Sequence, residues 1–287
     1  MGSDHKVPLI EEQLLRDEGT HLTTRVLRAS SRPVIHRPIR DFNIGTFADS
    51  YLPVRESSNY RQRRNKIGYL WMSKSGKLRA FESMLERSIL LDLDRDPSVK
   101  RLWTQPFRVD GLDDNRGGRY VRPTPDILVE YVDETLEVIE VKPQRAVDQP
   151  DEQRFAGNAE AFDDAMVRWQ RLQNSLDYQR RELAVLGIKV STRSEMSAAR
   201  RQNLEYMSLY RRPLAKGDEL DKTILDRVAA GPLTVMELAE RSEGFVSAMP
   251  VILHMVWHRR LMFDMEEPLN AESVVHLPAA TMISAAA

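Results

Sequence analysis

The chain has no cysteine among its 287 residues. A disulfide framework and a Cys-ligated zinc site are thereby excluded, and an intracellular compartment is expected. Long apolar runs are missing too. None approaches the ~18 residues that a membrane-spanning helix needs, and the opening MGSDHKVPLI has no apolar signal core. We therefore expect a cytoplasmic protein with no membrane partner. A glycine-rich phosphate loop is also lacking: RGGR at 116–119 has neither the Lys-Ser/Thr pair nor the strand-to-helix context. There is no Ser/His/Asp arrangement, internal repeat, low-complexity tract or long heptad seam. His254 and His258 lie at i, i+4, a spacing that can bind zinc, but with no third ligand in view and no HExxH a packed or interface helix is the better reading.

What is present is a globular composition, 41% hydrophobic and 30% charged, long enough for one large or two ordinary domains. The net charge of -1 is unevenly spread. Residues 1–80 hold fifteen Lys/Arg against eight Asp/Glu, and residues 81–150 hold ten against fifteen. A basic third beside an acidic segment suits a polyanion-binding protein with a cation site, although ordinary surface variation gives the same numbers.

Residues 1–55 carry no helical period, and RPVIHRPIRDFNIGTFADSYLP contains three prolines; the expectation is an extended arm. From Arg55 to Ala80 there are eight basic residues and one acid. Lys66–Met72 and Leu78–Phe81 flank SKSG and read as a hairpin. Arg61, Arg63, Arg64, Lys66, Lys74 and Lys77 could then lie along phosphates, or serve solubility alone. Tyr60, Tyr69 and Trp71 interleave with them, and for Tyr69 and Trp71 core packing is favoured. FESMLERSILLDL (81–93) has helical spacing. Residues 99–109 read as one strand demoted toward an edge by Pro106, and GLDDNRGGRY as a loop. PDILVEYV and LEVIEVK read as strands joined by DET. A helix follows from about Asp151 and closes at Gly187, before a strand at 188–196. That order, helix, three strands, helix, strand, gives an α/β domain over residues 56–200. After the polar stretch 197–218, three helices are expected over 220–261, with Thr234 and Ser247 as N-caps and Pro250 in a first turn. Two short strands then complete a winged-helix-like domain over 201–287, with a flexible tail. Its third helix, strongly apolar, suits protein contact at least as well as DNA.

The chemistry concentrates in RPTPDILVEYVDETLEVIEVKPQ (122–144). Residues i and i+2 of a strand share a face, so Glu140 and Lys142 point together. If the two strands pair, Asp126 approaches Glu140. Two carboxylates so placed raise each other's proton affinity unless a cation intervenes. Mg²⁺, with Mn²⁺ as a substitute, takes such oxygen ligands together with water and substrate phosphate. Lys142 could position the water or stabilise the charge growing on the phosphate. Glu86 or Glu82, one helical turn apart on the preceding helix, could complete the shell. A solvated Glu140–Lys142 pair is the alternative, against which stands the position of Glu140 among β-branched residues.

Pro125-Asp126 followed by Glu140-Val141-Lys142 matches the PD-(D/E)xK nuclease pattern. With Ser83-Met84-Leu85-Glu86, Gln105-Pro106, Thr124-Pro125-Asp126 and Glu140-Val141-Lys142-Pro143, residues 60–196 resemble the TnsA family, the endonuclease subunits of heteromeric cut-and-paste transposases. The resemblance implies a restriction-endonuclease-like core, a mixed sheet flanked by helices, followed by a winged-helix-like domain. Glu86, Asp126 and Glu140 would be metal ligands and, with Lys142, the catalytic set. Glu86 is favoured over Glu82, because it fits the family's SxLE-like step, with Glu82 and Gln105 as possible supports. The implied activity is metal-dependent cutting of the 5′ strand at transposon ends. The implied partners are double-stranded DNA, a DDE-type transposase subunit (TnsB) that cuts the 3′ ends, and an AAA+ regulator (TnsC), in a prokaryotic cytoplasm at the nucleoid. A stand-alone restriction or repair nuclease, or an inactive binding scaffold, remains as an alternative.

Overall fold

The computed structural model describes residues 10–26, 32–43, 51–55, 65–212, 214, 218–242 and 244–278. The chain is mixed α/β and divides into two compact units. The first comprises residues 1–71, 78–87 and 98–195, and the second 72–77, 88–97 and 196–287. The boundary therefore differs from a single cut near residue 200: two short segments from the 72–97 region belong with the C-terminal part. No helix among the described residues is long and apolar enough to cross a membrane.

The described residues of the expected N-terminal arm are instead folded. Helix α1 (Glu12–Glu18) leads into β1 (His21–Val26), which pairs antiparallel with β2 (Val34–Pro38) and with β3 (Tyr51–Leu52). The hairpin strands β4 (Gly68–Met72) and β5 (Lys77–Phe81) follow, closed by the expected turn with Gly76 N–H donating to Met72 O. Helix α2 (Met84–Arg95) starts three residues later than its apolar spacing suggests, because Phe81 ends β5 and the Ser83 hydroxyl caps the Glu86 N–H at 3.1 Å.

Residues 99–109 form two strands, β6 (Val99–Thr104) and β7 (Arg108–Asp113), in different sheets. Gln105 adopts φ 48° at the switch, an αL conformation that costs about 1–2 kcal/mol for a side-chain-bearing residue. Its peptide is held on both sides: its N–H donates to Asp126 O (2.8 Å), and its carbonyl accepts from Val54 N–H (3.0 Å). The expected loop after 110 contains the rest of β7 and β8 (Arg119–Val121), joined by a tight turn with both Gly117 and Gly118 at positive φ. One sheet runs β2-β1-β7-β8, with β3 beside β1; Leu22 opposes Val109. This tie across more than eighty residues makes the arm part of the core.

The second sheet runs β11-β10-β9-β6. Strands β9 (Ile127–Tyr131) and β10 (Leu136–Val141) form the expected antiparallel hairpin, with Ile127 opposite Ile139. After the short helix α3 (Gln144–Val147), helix α4 (Ala159–Ala184) crosses over, and β11 (Lys189–Arg193) returns parallel to β10. Gly187 closes α4 as expected: its N–H reaches Ala184 O and the Ile188 N–H reaches Leu183 O, a Schellman pair. Leu22, Trp103, Phe107, Val109, Leu128, Val138, Tyr178, Leu183 and Ile188 make one buried cluster. Each fully buried side chain of this kind contributes roughly 1.5–3 kcal/mol. A Cβ on Gly111 would lie 2.0 Å from the Tyr178 hydroxyl, so the approach of β7 to α4 requires glycine there.

In the second unit the polar stretch after 197 contains a helix, α5 (Ala198–Met207), capped by Ser197. Helices α6 (Asp218–Ala229), α7 (Val235–Arg241) and α8 (Phe245–Trp257) follow. Thr234 and Glu237 form a complete capping box on α7. Helix α8 starts at Gly244 rather than Ser247, so Pro250 lies inside it. The short strands β12 (Leu233–Thr234) and β13 (Val274–Val275) pair antiparallel, and Met262 bridges to His276. Buried Arg95 donates from Nε and Nη2 to Val256 O in the last turn of α8, a carbonyl that also accepts from the Arg259 N–H.

Candidate active site

Strand β10 is apolar in sequence because both of its faces are covered: Val138, Ile139 and Val141 are buried. Glu140 interrupts that run at 5% relative exposure and shares the face of Val138, toward α4. A carboxylate in that position needs partners. Lys142, two residues on, donates from Nζ to Glu140 Oε2 at 2.7 Å, and also to Asp126 Oδ2 at 2.7 Å. The Val141 N–H donates to the same Asp126 oxygen at 2.9 Å. Asp126 stands at the mouth of β9, its carbonyl fixed by Gln105 N–H, so the turn between sheets helps set its position.

The electrostatics are unbalanced. Two nearly buried carboxylates share one ammonium, and Lys142 is the member that reaches solvent, with 29% of its side chain exposed. Burial, and then the charge of Asp126, push the Glu140 carboxyl above its ordinary range, with Lys142 opposing. Burial also works against the charge on Lys142, yet Glu140 and Asp126 outweigh it and hold its ammonium well above the usual lysine range.

Glu86 sits on the first turn of α2 and bonds within that turn, accepting from Glu82 N–H at 2.7 Å. Burial first, with Asp126 and Glu82 adding to it, raises its carboxyl to about 7. Asp126 is thus within its electrostatic reach. Glu82 supports Glu86 through its backbone, while its side chain pairs with Arg55 at 2.5 Å. Gln105 is buried and acts through its main chain.

The chain matches no protein-family model, and no curated protein matches its sequence.

The sequence reading missed Gln179, which is 1% exposed and donates from Nε2 to Glu140 Oε1 at 3.1 Å. The signal was there: on α4 it continues the stripe of Leu176 and Leu183, where an amide has no reason to sit unless it has a buried partner. Of the basic candidates, Arg61, Arg63 and Arg64 lie outside the described residues, as does Tyr60. Lys66 and Lys77 are exposed; Lys74 is half-buried, and burial lowers its ammonium. Tyr69 is 74% exposed, which overturns core packing for it, whereas Trp71 is partly covered. His254 and His258 bond the carbonyls of Tyr210 and Arg211, as a packed helix requires.

For a divalent cation, the donor set is hard oxygen with one excess negative charge, which suits Mg²⁺ or Mn²⁺. Among the described residues no three His, Cys, Asp or Glu side chains converge as a metal-holding group. The pair drawn together is Asp126 and Glu140, with Lys142 between them.

Proposed function

We propose that this chain is a divalent-cation-dependent DNA endonuclease with a PD-(D/E)xK core, acting as the subunit of a heteromeric transposase that cuts the 5′ strand at transposon ends. The observation that carries the reading is the Asp126–Lys142–Glu140 cluster. Residues that are fourteen apart in sequence, Asp126 and Glu140, share one ammonium at 2.7 Å on neighbouring strands. The order α2, β6, β9, β10, α4, β11 supports the core assignment. The order α6, β12, α7, α8, with β13 returning beside β12, supports a winged-helix-like second domain. The transposase assignment rests on the sequence resemblance.

Asp126 and Glu140 would hold Mg²⁺ or Mn²⁺, with Glu86 joining from α2. When bound, the cation supplies charge that polarises a phosphoryl oxygen and lowers the pKa of a water. Gln179 fixes the rotamer of Glu140, and the Val141 N–H fixes that of Asp126. Lys142, at the solvent edge of the pair, is placed to orient a water or to balance the growing negative charge. The two strand-borne acids stay in register because Ile127 opposes Ile139 in the hairpin between them.

Strand-resolved cleavage mapping tests this. The substrate is a plasmid carrying the element's ends, with Mg²⁺ or Mn²⁺, and the protein is used alone and then with the neighbouring DDE-type transposase, TnsB, and the AAA+ regulator, TnsC. The expected result is partner-dependent 5′-strand cuts at the ends that disappear in Asp126→Ala. Efficient cutting by the protein alone at unrelated sites would replace the transposase reading with a stand-alone nuclease.

A further inference from the structure

The turn RGGR, which lacks the context of a phosphate loop, has a use elsewhere. Gly117 and Gly118 at positive φ fold it tightly, with their N–H groups bonded to the carbonyls of Asp114 and Asp113. That brings Arg116 and Arg119 to the rim of a cavity of about 470 Å³ in the first compact unit. Arg122, just past β8, and Arg171 on α4 complete the set, so four of the ten lining residues are arginines and none is acidic. On α4, Arg171, Asn174, Ser175 and Tyr178 follow the i, i+3, i+4, i+7 spacing of one helix face.

Nearby arginines on α4 have carboxylate partners within the chain: Arg168 pairs with Asp164, Arg180 with Asp177, and Arg181 with Asp113 and Glu182. Among the described residues, none of the four pocket arginines pairs with a carboxylate. Four like charges converging on one concavity repel, and an external polyanion relieves that repulsion. The guanidinium fork matches a phosphate with two parallel hydrogen bonds, and Asn174 and Ser175 add neutral donors.

The pocket joins the carboxylate cluster along two segments. Tyr178 lines it, and the next residue, Gln179, holds Glu140. Arg122 lines it, and four residues later stands Asp126, a span of at most ~14 Å of extended chain. Measured along the duplex axis, that upper limit equals about four base steps of ~3.4 Å.

We propose that this four-arginine pocket seats the DNA sugar-phosphate backbone a few nucleotides from the scissile bond. The inference rests on the endonuclease reading above and moves the principal phosphate contacts away from the basic stretch at 61–77.

The test is equilibrium binding of a labelled duplex to the full chain without divalent metal, across a salt series. The variant Arg116→Gln/Arg119→Gln/Arg122→Gln/Arg171→Gln is compared with wild type and with Arg168→Gln. The expected result is a slope of log K against log salt that is shallower by about 3–4 in the quadruple variant, roughly 0.9 per lost phosphate contact. A duplicate series with Arg119→Gln/Arg171→Gln, expected to lose about 2, covers the case of a poorly folded quadruple variant. An unchanged slope in both, or a wild-type protein that shows no salt-dependent DNA binding, overturns the pocket. Because the readout needs no cleavage, a protein that binds through these arginines but cuts nothing would refute the nuclease reading alone.

Discussion

Asp110 and Glu140 are both carboxylates sealed inside the first compact unit, at 0% and 5% relative exposure. Asp110 accepts from Arg108 Nε at 2.8 Å, from Thr23 Oγ1 at 2.6 Å and from the Tyr120 hydroxyl at 2.6 Å. One guanidinium meets one carboxylate, and two hydroxyls finish the shell. Glu140 shares its single ammonium with Asp126, and Glu86 adds a third acid within electrostatic reach. The first cluster is closed in both charge and hydrogen bonding, as a structural ion pair must be to offset its desolvation. The second keeps an excess of negative charge at an edge that water reaches. Burial alone therefore does not separate a site from a brace; charge balance does.

Four perturbations would break or sharpen that contrast. The largest effect is expected from Asp126→Ala: a loss of about 10²–10³-fold in single-turnover cleavage, by analogy with removing one stabilising group from an active site, with duplex affinity unchanged by anisotropy. Retained cleavage would remove the second cluster from the chemistry. Asp110→Ala should act on stability instead, costing about 3–4 kcal/mol in urea unfolding because Arg108 is left buried and unpaired. A small cost there would mean that the first cluster is not a brace.

Glu86→Gln gives the third test, read against pH without metal. The folded-state carboxyl is raised to about 7 from an ordinary value of 4.5, so the folded protein holds the extra proton between those values. Stability should then fall as pH rises from 4.5 to 7. The Gln variant should be more stable than wild type by about 2–3 kcal/mol at pH 8, and equal to it below pH 4.5. A flat difference across that range would contradict a strained Glu86. The smallest effect is expected from Gln179→Leu, about 1 kcal/mol for one buried hydrogen bond. Its sharper readout is a change in the pH profile of cleavage, as Glu140 loses a donor that favours its charged form.

The hairpin of β9 and β10 and the pairing of Asp126 with Glu140 and Lys142 were legible because both depend on period-two alternation and a short turn, which are local. The sheet at the N-terminus was not. The partner of Leu22 is Val109, and nothing near residue 22 announces it. The break of 99–109 into two strands was hidden for a different reason: Val, Trp, Thr, Phe and Val suit either sheet, and the switch lies in the backbone of Gln105. Gln179 was missed because the helical period was read for its apolar members alone, and the polar exception within the stripe carried the information. Tyr69 was misjudged because its strand leaves one face uncovered, which composition does not reveal.

Gly111 and the pair Gly117–Gly118 differ in what they tolerate. At the turn, an added Cβ meets nothing within 4 Å, so a substitution there is penalised only by its positive φ. At Gly111 the same atom would strike the Tyr178 hydroxyl at 2.0 Å and the Thr20 hydroxyl at 2.8 Å. The Tyr178 side chain would have to move, one residue from Gln179 and its bond to Glu140. In the mutational landscape of this protein, position 111 is therefore a cliff outside the Asp126–Lys142–Glu140 cluster. A lineage drifting at this residue would disturb the packing of α4 beside Gln179 before it changed any of those acids.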